Sequence, residues 1–206
     1  MCNLYRMTRA QSEIARLFKV EGGPVANVGS EVYPGYPGLV VTRSLVRAMV
    51  WGFPLVLKGA KGQALKPKPV NNARSDKLDS FMWRSSFAER RCLIPATGFA
   101  EAEGAKGAMT RIWFSLPGEE VFALAGIWRE SPEWGDAYSM VMTSAYGVVR
   151  DVHDRMPVIV AKADWEGWIE GSVEEAMTLC RPYEGSIEVE RSNELWSRGR
   201  PSGGVS

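Results

Sequence analysis

Histidine is almost absent from these 206 residues: His153 is the only one. Any imidazole chemistry must therefore pass through that one side chain. Cysteine is nearly as scarce. Cys2, Cys92 and Cys180 are odd in number, far apart and in no CxxC pair. That spacing offers no disulfide framework and, with a lone histidine, no ligand set for zinc, so no metal is expected and the compartment reads as reducing, hence cytoplasmic. No run approaches the ~20 apolar residues that span a bilayer. The first twenty residues carry Arg6, Arg9, Glu13, Arg16 and Lys19 without an apolar stretch, which excludes a secretory leader of the usual kind and any membrane partner. GxGxxG, P-loop, heptad and internal-repeat patterns are missing as well, so no nucleotide or other cofactor is expected.

What is present is an ordinary globular composition, 45% hydrophobic with a mean hydropathy of −0.17. The length suits a single domain over residues 1–196, and the Ser/Gly/Arg-rich stretch 197–206 reads as a disordered tail. A monomer is expected. The net charge of +1 hides an asymmetry: residues 1–91 balance at +9 and residues 92–206 at −8. The densest basic stretch, Lys58–Arg91, holds nine cations against three acids. Such a stretch reads either as a face for a polyanion or as a solvated loop followed by a charged helix.

Thr8 and Gln11 are spaced as a capping box, and Ile14, Leu17 and Phe18 recur at helical spacing behind them. A short strand is predicted at Leu39–Val41 and another in "LVRAMVWGF". The Gly/Lys/Pro-rich segment Pro54–Val70 reads as an exposed loop. Phe81, Met82, Trp83 and Phe87 mark a second helix ending near Arg90–Arg91. "CLIPATGF", "RIWFSL", "VFALAGIW", "YSMVMTSA" and "PVIV" follow as strands, with short helices at Asp164–Ile169 and Ser172–Leu179. Strands and helices do not alternate one for one. The fold class is therefore α+β: a curved, mostly antiparallel, barrel-like sheet with flanking helices.

Four places carry candidate chemistry. Cys2 is poorly placed for a core, yet with Met1 removed it would bear a free α-amine beside its thiol. His153 lies in the polar loop "DVHDRMP", where Asp151 and Asp154 would favour its charged form. Glu101, in "GFAEAEG" just after an apolar strand, could have a raised pKa suited to proton transfer, or could be an exposed loop residue beside Glu103. Asn72 and Arg74 follow the basic loop; asparagine orients through both donor and acceptor, and arginine suits a bidentate phosphate contact.

Taken in order, "MCNLY", "WGF" at 51–53, "NNARSD" at 71–76, "RRCLIPATGFAEAEG" at 90–104 and "VHDRMPVIV" at 152–160 resemble the SOS-response-associated peptidase family. Its members are also described as abasic-site processing, or DNA–protein crosslink-forming, proteins. The resemblance implies a barrel-like α+β fold and loss of Met1, by self-processing, to make Cys2 the terminus. It implies a catalytic set of Cys2, Asn72, Glu101 and His153, and phosphate contacts from Arg74 and Arg155. Trp51 is then a base-stacking platform, or else a core tryptophan. The chain departs from the family at Ala100 and Ala102, where an aromatic residue and a tryptophan commonly flank the glutamate.

The implied partner is single-stranded DNA containing abasic sites, with a nucleoid location when bound. The implied reaction is a self-processing, peptidase-like hydrolysis together with lyase-type crosslinking. An N-terminal aminothiol can condense with the open aldehyde of an abasic sugar and close a thiazolidine, which an internal cysteine cannot do. Two rival readings remain: an N-terminal-nucleophile amidohydrolase that uses the Cys2 thiol, and a single-strand-binding module without chemistry.

Overall fold

The computed structural model describes residues 2–196; Met1 and the expected tail at 197–206 lie outside the described residues. Along the chain run β1 (Leu4–Arg6), α1 (Gln11–Phe18), β2 (Glu21–Gly22), β3 (Glu31–Val32), β4 (Pro37–Val41), β5 (Leu45–Trp51) and β6 (Phe53–Leu55). Next come β7 (Lys68–Val70), β8 (Asn72–Arg74), α2 (Arg84–Glu89), β9 (Arg91–Ala96), β10 (Gly98–Glu103) and β11 (Thr110–Ser115). The last part holds β12 (Phe122–Ser131), β13 (Gly135–Ser144), α3 (Gly147–Arg150), β14 (Arg155–Pro157), β15 (Ile159–Val160), α4 (Trp165–Glu170), α5 (Val173–Leu179) and β16 (Glu188–Leu195).

Five of these strands close on themselves. β13 pairs with β12, β12 with β9, β9 with β4, β4 with β5, and β5 returns to β13. Only the closing β5–β13 pair is parallel, which makes a mostly antiparallel barrel with no free edge between its members. A second antiparallel sheet, ordered β16–β11–β10–β1–β3, leans on it. β9 and β10 are continuous except at Thr97, whose N–H and hydroxyl both bond the Arg6 carbonyl. One run of chain thus passes from barrel to second sheet, and the class is α+β as expected.

Burial explains the runs that make these strands legible. Phe122 to Ile127 and Arg91 to Ala96 are buried on both faces, because the barrel interior fills one side and helices or the second sheet cover the other. Gly38 and Gly52 are among the glycines that space requires. A Cβ on Gly38 would meet the hydroxyls of Tyr5 and Tyr138, which bond each other at 2.5 Å. Gly52, at φ +116°, lets the chain turn between β5 and β6 where a side chain would overlap Pro69.

Several element expectations need correction. The cap of α1 is Ala10, whose N–H donates to Glu13 Oε2 at 2.9 Å; Thr8 takes no part. The second helix starts at Arg84, after Phe81, Met82 and Trp83, and holds only Phe87 of that cluster. Pro54–Val70 is not simply a loop, since β6 and β7 pair across it. "CLIPATGF" is divided between β9 and β10, and "PVIV" between β14 and β15.

Candidate active site around Cys2

Cys2 is fully buried, contrary to the expectation for a residue so near a terminus. β1 leaves it antiparallel to β10, with Leu4 opposite Ala100. Its thiol donates to the Leu4 carbonyl at 3.4 Å. Burial, and then the charge of Glu101, push that thiol far above its ordinary pKa.

The Cys2 carbonyl accepts two amide N–H bonds, from Asn72 Nδ2 at 2.8 Å and Asn71 Nδ2 at 3.0 Å. β8 presents Asn72 because it runs parallel to β13, with Asn72 opposite Met140. Asn71 also donates to Asn3 Oδ1, while its own carbonyl accepts the Trp51 indole N–H at 3.0 Å. Asn72 is 8% exposed, and its Oδ1 has no hydrogen-bond partner among the described residues. That leaves a buried acceptor beside Cys2, of the kind that calls for an explanation.

Glu101 lies within β10 rather than after a strand, opposite Ile112 of β11, and is 4% exposed. Burial raises its pKa to about 7, and the Asp154 carboxylate adds to the shift. The exposed-loop alternative is thereby set aside.

His153 follows α3 in a turn before β14, and its Nδ1 accepts the Arg155 N–H at 2.9 Å. Asp154 Oδ1 stands 3.0 Å from the same nitrogen. The two contacts suit different protonation states: with Nδ1 accepting, the neutral ring carries its proton on Nε2, whereas an Nδ1–H, in the other neutral tautomer or in the charged ring, donates to Asp154. Desolvation outweighs Asp154 and lowers the His153 pKa, so the expectation that carboxylates would hold it charged is corrected. Asp154 reaches electrostatically to both Glu101 and Arg74, which ties the histidine loop to the rest of the cluster.

Arg74 and Arg155 share one carboxylate. Arg74 grips Asp76 through Nε at 3.0 Å and Nη2 at 2.6 Å, and Arg155 Nη1 lies 3.7 Å from it. Both cations face one patch beside the cluster. Trp51, in contrast, is a correction: it is wholly buried, edge-on to Tyr5 at 5.1 Å and parallel to Tyr138 at 6.5 Å. A nucleic-acid base cannot reach it without opening the barrel. Its work is to hold the Asn71 carbonyl. Sequence reasoning missed Asn71 and Asp76; the doubled "NN" and the "ARSD" spacing were the available signals. Among the described residues no group of histidine, cysteine and carboxylates is arranged to hold a metal ion, and none of their helices is long and apolar enough to cross a membrane.

The geometry defines a class: an α+β barrel whose polar, acid-bearing cluster is gathered around the second residue of the chain. The chain belongs to the SOS response associated peptidase (SRAP) family, which it matches over residues 1–194. It is similar to the abasic site processing protein YoqW of Bacillus subtilis and of the Bacillus phage SPbeta, each 28% identical over 144 residues. It is also 27% identical to the abasic site processing protein YoaM of B. subtilis over 143 residues. These matches cover 65% of this chain and 62% of each relative. Among solved structures, a protein from Bordetella bronchiseptica superposes with a TM-score of 0.78 at 22% identity, covering 93% of this chain and 99% of that one. One from Bacteroides thetaiotaomicron gives 0.75 at 18%, covering 92% and 91%. Both likenesses support the fold.

Proposed function

We propose that the protein processes abasic sites in single-stranded DNA by joining itself to them through Cys2, once Met1 has been removed by self-processing. The abasic-site part rests on the names of the relatives and on the family. The chemistry rests on one observation: two asparagine amides fix the Cys2 carbonyl while a buried carboxylic acid with a pKa of about 7 acts on its thiol.

The steps balance without any co-reactant. The free Cys2 amine, with an ordinary pKa of about 7.7–8.0, attacks the open-chain aldehyde of the sugar. The carbinolamine loses water to give an imine. The imine is left protonated on nitrogen; sulfur adds to its carbon, the nitrogen keeps its proton, and the thiazolidine closes as the thiol proton leaves. Glu101, protonated near neutrality, supplies the proton on which water departs and afterwards accepts the thiol proton. His153 donates to the sugar ring oxygen to favour the open aldehyde. Asn71 and Asn72 hold the Cys2 backbone, and the spare Asn72 Oδ1 is an acceptor for the amine N–H. Holding amine, thiol and aldehyde together makes ring closure effectively unimolecular. Arg74 and Arg155 take phosphates.

The raised thiol pKa argues against the amidohydrolase alternative, which needs a thiolate to attack an unactivated amide. An imine is a far better electrophile and accepts a thiol whose proton has a carboxylate to go to. The test is intact mass of the purified protein before and after incubation with an abasic single-stranded oligonucleotide, without reductant. Loss of Met1 and a stable one-to-one adduct are expected. Retained Met1 in material that forms the adduct would refute the mechanism.

A further inference from the structure

Between Phe53 and Val70 the chain leaves the barrel as an ordered hairpin. Its base is anchored. Phe53 is buried, 5.1 Å from the Trp83 ring and 4.3 Å beneath the Arg129 guanidinium, and the Val70 carbonyl accepts the Ser139 hydroxyl at 2.6 Å. Beyond β6 and β7 the ladder continues through a Lys58–Ala64 bridge, with Leu65 N–H bonding Leu57 O and Gly59 N–H bonding Gln63 O, both at 2.8 Å. The projecting part is thus held in shape by its own backbone.

Its composition does nothing for that shape. Residues 53–70 hold Lys58, Lys61, Lys66 and Lys68 and not one carboxylate. All four lysines are exposed, and none forms an ion pair with a described residue. Elsewhere several arginines are matched, as in Arg6–Glu190, Arg9–Glu120 and Arg191–Glu103, whereas this segment supplies no carboxylate to its own lysines. Val56, Leu57 and Leu65 stand about 40% exposed on the same projection. Four unmatched like charges repel one another, and exposed aliphatic side chains gain nothing from folding.

We infer that this hairpin grips single-stranded DNA beside the abasic site, with its lysines on successive phosphates and its aliphatic side chains against an unstacked base. The inference rests on the reading of the substrate given above. The occupant follows from charge and continuity. β7 runs directly into Asn71 and Asn72, and the next cation along the chain is Arg74, with Arg155 beside it in space across Asp76. At about 3.3 Å per residue, Lys68 lies within roughly 10 Å of Asn71 along the strand, and the tip within about 35 Å. A strand whose abasic sugar reached Cys2 would pass along this projection.

The probe is an intact single-stranded oligothymidylate with no abasic site, so that binding is read apart from chemistry. Combining Lys58→Ala, Lys61→Ala, Lys66→Ala and Lys68→Ala should weaken binding and flatten the plot of log affinity against log salt by about 2–3 in slope, at about 0.7 for each phosphate no longer neutralised. Lys61→Glu at the tip alone should move binding the same way and guards against misfolding of the multiple variant. Val56→Ser with Leu57→Ser and Leu65→Ser should weaken binding while leaving the slope unchanged. An unchanged slope in both lysine variants overturns the inference, as does a wild-type protein that does not bind oligothymidylate. Loss of binding to phosphatidylserine vesicles with DNA binding intact would overturn it too and assign the hairpin to an anionic membrane surface. Failure of wild-type protein to form the adduct would count against the thiazolidine reading, while the oligothymidylate slopes still decide the hairpin.

Discussion

At the scale of single residues, Glu101 links function to stability. Its pKa of about 7 stands above the 4.5 of an unperturbed glutamate because it is buried. Between those two values the unfolded chain releases this proton while the folded chain keeps it, so raising pH through that window lowers stability. Above pH ~7 the full penalty applies, on the order of 3 kcal/mol for a shift of this size. Glu101→Gln, which mimics the neutral acid, should therefore raise the denaturation midpoint at about pH 8 and give no advantage near pH 4, below the unfolded value. The same variant should slow adduct formation by ~10²–10⁴-fold. Equal midpoints across that range would show that Glu101 is not held protonated. The cysteines can be separated in the same way. Cys92 is buried in β9 and Cys180 ends α5, where burial raises its thiol to about 12. Cys92→Ala and Cys180→Ala should form adduct normally in folded protein. Cys2→Ser keeps the amine once Met1 is gone but not the sulfur, so its product should survive only if borohydride reduces the imine. A stable product without reductant would remove sulfur from the mechanism.

At the scale of elements, packing decides what a substitution costs. Gly38 in β4 sits where the Tyr5 and Tyr138 hydroxyls meet, so Gly38→Ala must part them or bend the barrel. A decrease of about 1–3 kcal/mol in unfolding free energy is expected, as for overpacking elsewhere. A neutral result would mean that the tyrosine pair is loose. The Ser172 hydroxyl accepts the Glu175 N–H at 3.1 Å while the Ser172 N–H donates to the Glu175 carboxylate, and this capping box was legible from the spacing alone. So were β11, β12 and β13, because apolar runs buried on both faces leave a plain mark. β16 left none: in "EVERSNEL" the charges alternate with little apolar patterning, and the strand is held at an edge partly by Arg191–Glu103 and Arg6–Glu190. Thr8 misled because Glu13 reaches the Ala10 N–H instead. In the candidate site, motif order nominates Cys2, Asn72, Glu101 and His153, and the structure sets Asn72 and Glu101 beside Cys2, with Asp154 tying the His153 turn to Glu101. Trp51 could not be assigned, because "WGF" reads alike whether its indole faces a base or the Asn71 carbonyl.

At the scale of the whole molecule, the cluster is assembled from segments far apart in sequence: residue 2 beside β1, residues 71 and 72 entering β8, residue 101 in β10, and the turn at 153 before β14. The antiparallel β1–β10 pair of the second sheet sets Cys2 near Glu101, while β8 and β14, both paired to β13 of the barrel, bring up Asn72 and the His153 turn, so the buried terminus cannot be displaced without consequence. This makes the amine, rather than the thiol, the sharper test. Extending the chain by one residue that cannot be removed leaves Cys2 in the sequence, with its carbonyl still available to Asn71 and Asn72 and its thiol still beside Glu101, but it turns the reactive nitrogen into an amide. Thiazolidine closure needs that nitrogen free. The extended protein should therefore bind an abasic strand with near-normal affinity, since Arg74, Arg155 and the lysine hairpin are untouched, and should form no stable adduct. Intact mass gives the second result and salt-dependent binding the first. A stable adduct from the extended protein would make the thiol alone the nucleophile and return the amidohydrolase reading to first place. Loss of binding together with loss of adduct would instead place the terminus in DNA recognition.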